Sequence, residues 1–308
     1  MDRFKYLISR SNILFLLALL TGIFLPQAAI IGVALTLPTL MIILTITTLK
    51  IPGGFFRRPG HLVPAAIRGI VMSYLFLGNF IILASIFLVR EEELWIGMVL
   101  IAAAPPAIAM IPLTKLFKAD VISSIAGLAG AYLGALLIAP LIVLGFLKDI
   151  TLNYAGIILL VLELIFLPLA ISRTIVDKDW NKIVEPYEGI ITDICFFIVF
   201  YTITANNRDI LVDWSSDLSS LAIIAFAIIF LAALIIVKAG RFFHTAENKI
   251  TSFLLLGTMK NCGLAGGIAL ILFNKEAALP ALVFAVFTFI YINLLKYKMK
   301  HITDSSNN

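Results

Sequence analysis

Apolar stretches recur along the whole chain, separated by short groups of polar or charged residues. Most are about twenty residues long, the length at which an α-helix crosses the hydrocarbon core of a bilayer. The pattern predicts an all-α polytopic membrane protein with ten membrane-spanning helices, spans 1 to 10, at residues 11–25, 28–49, 67–89, 94–116, 121–147, 151–172, 188–206, 218–238, 250–273 and 277–295.

Composition supports this class of protein and excludes others. Hydrophobic residues make up 61% of the 308-residue chain and charged residues 13%, with a mean hydropathy of +1.08. Soluble globular proteins contain about 25% charged residues, so this chain has too little polar surface for a soluble enzyme or a nucleic-acid binder. It also carries no nucleotide-binding, serine-hydrolase or zinc-protease motif. We therefore expect no enzymatic activity, no cofactor, no metal site and no nucleic-acid partner.

The positions of the lysines and arginines predict how the spans are oriented. Of the 23 such residues, 18 lie on one side of the ten-span arrangement and four on the other, while Lys260 lies within span 9. Lysine and arginine accumulate in cytoplasmic loops. The bias predicts a multi-pass protein of the cell membrane whose two termini both lie in the cytoplasm.

Two matching interruptions indicate an internal duplication. Leu116-Phe117 follows span 4 and Leu272-Phe273 follows span 9, and the same offset places Pro105-Pro106 at the position of Asn261-Cys262. Both interruptions fall in the fourth span of a five-span half. Since each half has an odd number of spans, the second half inserts upside down. The sequence thus predicts two inverted repeats, 1–149 and 150–308, with discontinuous helices 4 and 9, as in secondary transporters.

Both interruptions lie within recognisable motifs. Residues 102–120, with Pro105-Pro106 near their start, and residues 257–265, which read G-T-M-K-N-C-G-L-A, resemble the crossover regions of the bile acid:sodium symporter family. Pro168 and Asn79 match a proline and a polar position in that family's sixth and third helices. The resemblance implies a panel of spans 1, 2, 6 and 7, a core of spans 3, 4, 5, 8, 9 and 10, crossed helices 4 and 9, and substrate between panel and core.

Several positions depart from the sodium-binding pattern of that family. The family places a carboxylate, a glutamine and a serine-asparagine pair where this chain has Leu256, Lys260 and Met110-Ile111. An ammonium group cannot bind sodium and repels it. We therefore predict that the sodium sites are lost, and that a proton is a better candidate than sodium for any coupling ion.

Lys260 is the most informative residue, because a charged side chain in the middle of a span costs about 2.5–3.5 kcal/mol. Three roles are open to it: a substitute for a bound cation at the crossover, a group that titrates during transport, or the counter-charge of an anionic substrate. Glu163 in span 6 and Asp193 in span 7 are the other ionisable residues within spans. A changing Glu163–Lys260 contact would couple protonation to transport, whereas a solvated helix start is the alternative role for Asp193.

These features predict a secondary active transporter that moves a small organic, anionic solute across the lipid bilayer by alternating access. The alternatives are a proton-coupled or uncoupled carrier, a related efflux permease, and a membrane sensor or scaffold that does not transport. The predicted residues for substrate or ion binding and for coupling are Lys260, Asn261, Thr258, Pro105, Pro106, Asn79, Glu163, Asp193 and Ser124.

Overall fold

The computed structural model describes residues 10–49, 62–147, 154–213 and 216–306, and this part of the chain is α-helical and contains no β-strand. Six of the cationic residues used to predict orientation lie outside the described residues, namely Arg3, Lys5, Lys50, Arg57, Arg58 and Lys148, as do the first residues of predicted span 6. Within the described ranges, six helical stretches are long and apolar enough to cross a membrane: Pro26–Leu49, Val63–Leu88, Val121–Phe146, Glu188–Asn206, Leu218–Phe242 and Lys275–Lys298.

We number the principal helices in chain order. They are α1 (Arg10–Phe24), α2 (Ala29–Leu49), α3 (Val63–Leu88), α4a (Glu92–Ala103), α4b (Met110–Leu116), α5 (Val121–Phe146), α6 (Tyr154–Asp177), α7 (Glu188–Asn206), α8 (Ser216–Phe242), α9a (Glu247–Thr258), α9b (Cys262–Leu272) and α10 (Lys275–Ser306). Shorter helical turns at Pro26–Ala28, Asn181–Val184 and Arg208–Asp213 lie between them. The apolar helices make this a polytopic membrane protein.

The helices pack in two groups. α7 packs against α1 and α2, and α2 packs against α6. In the second group, α3 packs against α5, while α10 packs against α4a, α8 and α9b. The groups meet where α7 contacts α9b and α10 and where α2 contacts α9b. The interrupted helices both belong to the second group, and α9b, the second half of one of them, contacts α2 and α7 of the first group.

The middle of α3 widens into a π-helical segment, Val71–Gly78. Such segments are rare and occur often at functional sites, because the extra residue per turn redirects side chains and releases backbone groups from the regular pattern. Here the segment presents Ser73 and Tyr74 to the interior, and both are buried. The Tyr74 hydroxyl donates to the carbonyl of Ala131 on α5 at 3.0 Å, which holds its ring in place.

Asp120 caps the amino terminus of α5. Its Oδ1 accepts from the backbone N–H of Ser123 at 3.1 Å, and its Oδ2 accepts from the Ser123 hydroxyl at 2.8 Å. The backbone hydrogen bond from Ser123, with smaller contributions from the hydroxyl and from nearby Lys249, lowers the pKa of the carboxyl group. The backbone N–H of Asp120 also donates to the Asn248 carbonyl at 3.0 Å, which joins the start of α5 to α9a.

The cap should make part of the protein's stability depend on pH. Because the folded-state pKa of Asp120 is lowered, the carboxylate stabilises the fold fully above its unfolded pKa of about 3.9, and this contribution is lost as the pH falls through the folded-state value. We expect Asp120→Ala to cost about 1 kcal/mol at pH 7 and less in acid, measured as melting temperatures at both pH values. The exposed Glu185→Ala serves as the control. If Asp120→Ala lowers the melting temperature by the same amount at both pH values, the role of Asp120 as a charged cap is contradicted.

Candidate functional site

The two interruptions meet in the interior and pair with each other. α4a ends at Ala103 and α4b begins at Met110, while α9a ends at Thr258 and α9b begins at Cys262. The Ala107 N–H donates to the Met259 carbonyl at 3.0 Å.

The second hydrogen bond completes an antiparallel bridge between Pro106 and Lys260. The Asn261 N–H donates to the Pro105 carbonyl at 2.9 Å. Proline lacks an N–H and interrupts the helix, and non-helical backbone at membrane depth must find partners within the protein. Each interrupted segment therefore supplies hydrogen-bond partners for the other.

Lys260 lies at the centre of this crossover and is only 3% exposed. Its ammonium nitrogen Nζ donates to three oxygens: Ser73 Oγ at 3.1 Å, the Ala102 carbonyl at 2.9 Å and the Ala104 carbonyl at 2.8 Å. An ammonium group has three N–H donors. Every N–H of the Lys260 ammonium group therefore has a protein acceptor.

The charge of Lys260 is balanced by dipoles. Ala102 and Ala104 lie at the carboxyl end of α4a, where the helix dipole places negative partial charge. The nitrogen also lies 4.6 Å from the centroid of the Tyr74 ring, within the range of a cation–π contact. In the described part of the chain, no carboxylate forms an ion pair with Lys260. The lysine, which lies between α9a and α9b, thus holds this interruption to α3 and α4a through one positive charge.

The two polar neighbours of Lys260 have structural partners of their own. Asn261 caps α9b: its Oδ1 accepts from the Leu264 N–H at 3.1 Å, and its Nδ2 donates to the Tyr132 hydroxyl on α5 at 3.1 Å. The Thr258 hydroxyl donates back to the Leu254 carbonyl within α9a at 2.6 Å. Asn261 therefore positions the start of α9b, while Thr258 stabilises the end of α9a.

A cavity of about 410 Å³ lies beside the crossover, between α1 and α7 on one side and α4b and α10 on the other. This volume is in the range of small-molecule sites, which are about 300–1,000 Å³. Its walls are mainly apolar and aromatic, with Phe15, Phe196, Phe197, Phe200 and Phe289 among them. The crossover residues, Met259 to Gly263, form its inner end, and its polar lining is contributed by Ser11, Asn12, Asp193, Thr288, Asn293 and Lys296.

Asp193 lies on this cavity but is paired with α1. Its Oδ2 accepts from Arg10 Nε at 2.7 Å and its Oδ1 accepts from the Ser11 hydroxyl at 2.7 Å. The carboxylate therefore ties the start of α7 to the start of α1. This agrees with a helix-start role for Asp193 rather than with a direct partnership with Lys260.

The remaining predicted site residues lie elsewhere. The Ser124 hydroxyl donates to the Ser252 hydroxyl at 2.9 Å, which joins α5 to α9a away from the cavity. Asn79 and Glu163 are exposed on the surface of the helix bundle. The structure thus brings together Lys260, Asn261, Pro105 and Pro106, and it does not bring Glu163 to Lys260. The described residues contain no group of three histidine, cysteine or acidic side chains able to hold a metal ion.

Sequence reasoning missed the partners of the crossover. Ser73 and Tyr74 carry no charge, and the only sequence signal for them is a polar pair in the middle of span 3. Tyr132 similarly reads as one aromatic residue in an apolar span. Lys296 was counted only as a cytoplasmic charge, although the structure places it on the cavity wall.

Comparison with family models identifies the family of the chain. The model of the SBF-like CPA transporter family matches residues 13–301, which include every helix that forms the crossover and most of the cavity. A comparison with curated proteins finds no match. The family match confirms the resemblance to bile acid:sodium symporters that the motifs around Pro105 and Asn261 indicate. The chain therefore belongs to the SBF-like CPA transporter family.

Proposed function

We propose that this membrane transporter moves a small organic anion by alternating access and does not bind sodium at its crossover. Membership of a transporter family, together with the apolar helices, supports transport as the general function. The observation that carries the specific proposal is the set of three oxygens, from Ser73, Ala102 and Ala104, around the ammonium group of Lys260.

The three oxygens resemble the shell that a bound metal cation needs. Sodium sites in transporters are built from hydroxyl groups and from carbonyls at the ends of interrupted helices. Here those oxygens lie 2.8 to 3.1 Å from Nζ, so the ammonium group provides the positive charge at that place. Among the three roles open to Lys260, the cation substitute fits best, because its ammonium donors are all directed at protein oxygens and no carboxylate of the described residues forms an ion pair with it.

The proposed architecture has ten spans in two inverted repeats, 1–149 and 150–308, arranged as a panel and a core. Its support is the antiparallel pairing of the two interruptions and the packing of α1, α2, α6 and α7 as one group. The cavity lies between the groups. Movement of the core against the panel would open this cavity alternately to the two sides of the membrane.

We assign the present conformation as open towards the cytoplasm. The cavity is lined by the start of α1 and by residues of α10 up to Lys296, a region that the distribution of lysine and arginine places towards the cytoplasmic side. At the opposite end, α7 and α10 are joined, because Asn207 Nδ2 donates to the Lys275 carbonyl at 2.8 Å. Asn207 is completely buried, which is consistent with a closed external side.

The proposal predicts that sodium has no specific effect. The purified protein would first be screened by thermal shift against aromatic and aliphatic monocarboxylates, and uptake of the strongest stabiliser would be measured in proteoliposomes. We expect equal melting temperatures and equal uptake in sodium, potassium and choline chloride at one ionic strength. Any coupling would then be to protons, seen as a dependence of uptake on an imposed pH gradient. A saturable stabilisation by millimolar sodium that potassium does not reproduce would contradict the proposal.

A further inference from the structure

A second buried lysine lies on the cavity, and it has no partner in the described structure. Lys296, on α10, is 8% exposed and lines the cavity wall. It forms no hydrogen bond and no ion pair with any described residue, in contrast to Lys260. Lys296 lies on the same face of α10 as Thr288, Phe289 and Asn293, all of which also line the cavity.

The other charged groups of the cavity, and Asn293, are already engaged. Arg10 is paired with Asp193, and all three donors of Lys260 are directed at protein oxygens. Asn293 accepts from Asn12 at 3.0 Å and donates to the Phe289 carbonyl at 2.9 Å. Among the described residues that line the cavity, Lys296 is therefore the cation that is available to a ligand.

The side chain of Lys296 is largely buried, but its ammonium nitrogen remains accessible from the cavity and has no acceptor among the described residues, so it depends on hydration there. Removing a cation from bulk water is unfavourable unless an anion or several acceptors replace the lost hydration. An anionic group that enters the cavity would supply this replacement at Lys296. The ligand would gain a charge-assisted hydrogen bond there, which is about twice as strong as a neutral one.

The length and the aromatic lining of the cavity indicate the size and polarity of the remaining part of the ligand. From Ala285, near the crossover, to Lys296, α10 extends by about 16 Å at 1.5 Å per residue. Aromatic side chains, including Phe196, Phe200 and Phe289, line the space between these ends. A ligand with its charge at one end and an apolar body fits this distribution, whereas a second charge at the inner end would face groups whose hydrogen bonds are already made.

We propose that Lys296 binds the anionic group of the transported solute at the cytoplasmic end of the cavity, and that the solute is a monoanion with an apolar body. This inference rests on the proposed function, because it names the ligand class of the same cavity. It assigns separate roles to the two buried lysines: Lys260 provides a fixed charge within the core, and Lys296 provides the charge that the solute meets.

The test compares a carboxylate with its uncharged amide. Binding of 4-phenylbutyrate and of 4-phenylbutyramide would be measured by isothermal titration calorimetry on the purified protein in nanodiscs. We expect the wild-type protein to bind the acid at least about tenfold more tightly than the amide, the factor of one charged hydrogen bond. Lys296→Met should bind both compounds equally, and Lys296→Arg should retain the preference.

Lys298→Met is the matched control, because Lys298 lies two residues further along α10 and is exposed. It should show the wild-type preference for the acid. A preference that survives in Lys296→Met, or a wild-type protein that binds the acid no better than the amide, would overturn the inference. A preference that depends on Lys296 but appears only with sodium present would support the inference and overturn the proposed sodium independence, so the two failures are distinguishable.

Discussion

Lys260→Ala is expected to destabilise the protein strongly and to abolish transport. The substitution removes the three donors that reach Ser73, Ala102 and Ala104, and it leaves these buried oxygens without a partner. Each unpaired buried acceptor costs about 1–3 kcal/mol. We therefore expect a large fall in melting temperature and loss of uptake of the anion selected by thermal shift.

Lys260→Gln should recover part of the stability, because an amide still donates hydrogen bonds at the crossover, but it should not recover the missing charge. Lys238→Ala, which removes an exposed lysine from α8, is the control and should resemble the wild type.

The same two variants separate the three roles of Lys260. A counter-charge for substrate predicts that both variants fold well and lose only binding. A titrating lysine predicts uptake that falls in acid, with a dependence on pH that is absent from Lys260→Gln. Wild-type stability and uptake in Lys260→Ala would refute all three roles.

The second large effect is expected at the crossing of α3 and α5. A Cβ atom added at Gly69 would lie 1.9 Å from the backbone oxygen of Gly127, and one added at Gly130 would lie 2.5 Å from the Cα of Ala66. Small residues allow helices in a membrane to approach this closely. Because the atoms in the way belong to the backbone, no rotation of a side chain can relieve the clash.

Gly69→Ala should therefore prevent stable packing of α3, which carries Ser73 and Tyr74 to the crossover. Gly145→Ala in α5 is the matched control, since a Cβ there meets nothing within 4 Å. Replacing glycine by alanine within a helix normally stabilises it by about 1 kcal/mol. The two substitutions are thus expected to have opposite signs, as measured by melting temperature and by the yield of monodisperse protein. A Gly69→Ala protein as stable as Gly145→Ala would show that the crossing is looser than described.

The helix interruptions were predictable from the sequence, for a local reason. Proline cannot donate a backbone hydrogen bond, and although single prolines such as Pro38 and Pro140 lie within continuous helices here, the consecutive pair Pro105-Pro106 favours an interruption. The polar Lys260-Asn261 pair marks the second interruption because such side chains are costly at membrane depth. The structure has helix ends at both places. The ten-span arrangement and the cytoplasmic location of both termini stay predictions.

The partners of these residues were not predictable. The charge of Lys260 favours an acidic partner, Glu163 or Asp193, since opposite charges within an apolar chain are expected to form an ion pair. In the structure Glu163 is exposed, and Asp193 is bound by Arg10, a residue immediately before predicted span 1. The lysine instead donates to a hydroxyl group and two backbone carbonyls. Because every residue carries a backbone carbonyl, the residue types in a sequence do not indicate which carbonyl will be an acceptor.

The sequence alone determined that this chain crosses a membrane, where two of its helices are interrupted and that a positive charge lies at one interruption, because these properties follow from the hydropathy and backbone chemistry of neighbouring residues. Only the tertiary structure decided that the interruptions pair with each other, that Ser73 on α3 contacts Lys260, and that Lys296 lies on a cavity. Those contacts depend on the rotation of each helix about its axis and on how closely α3, α5 and α10 approach their neighbours. Such distances are set by packing between residues far apart in the chain, and no local pattern specifies them.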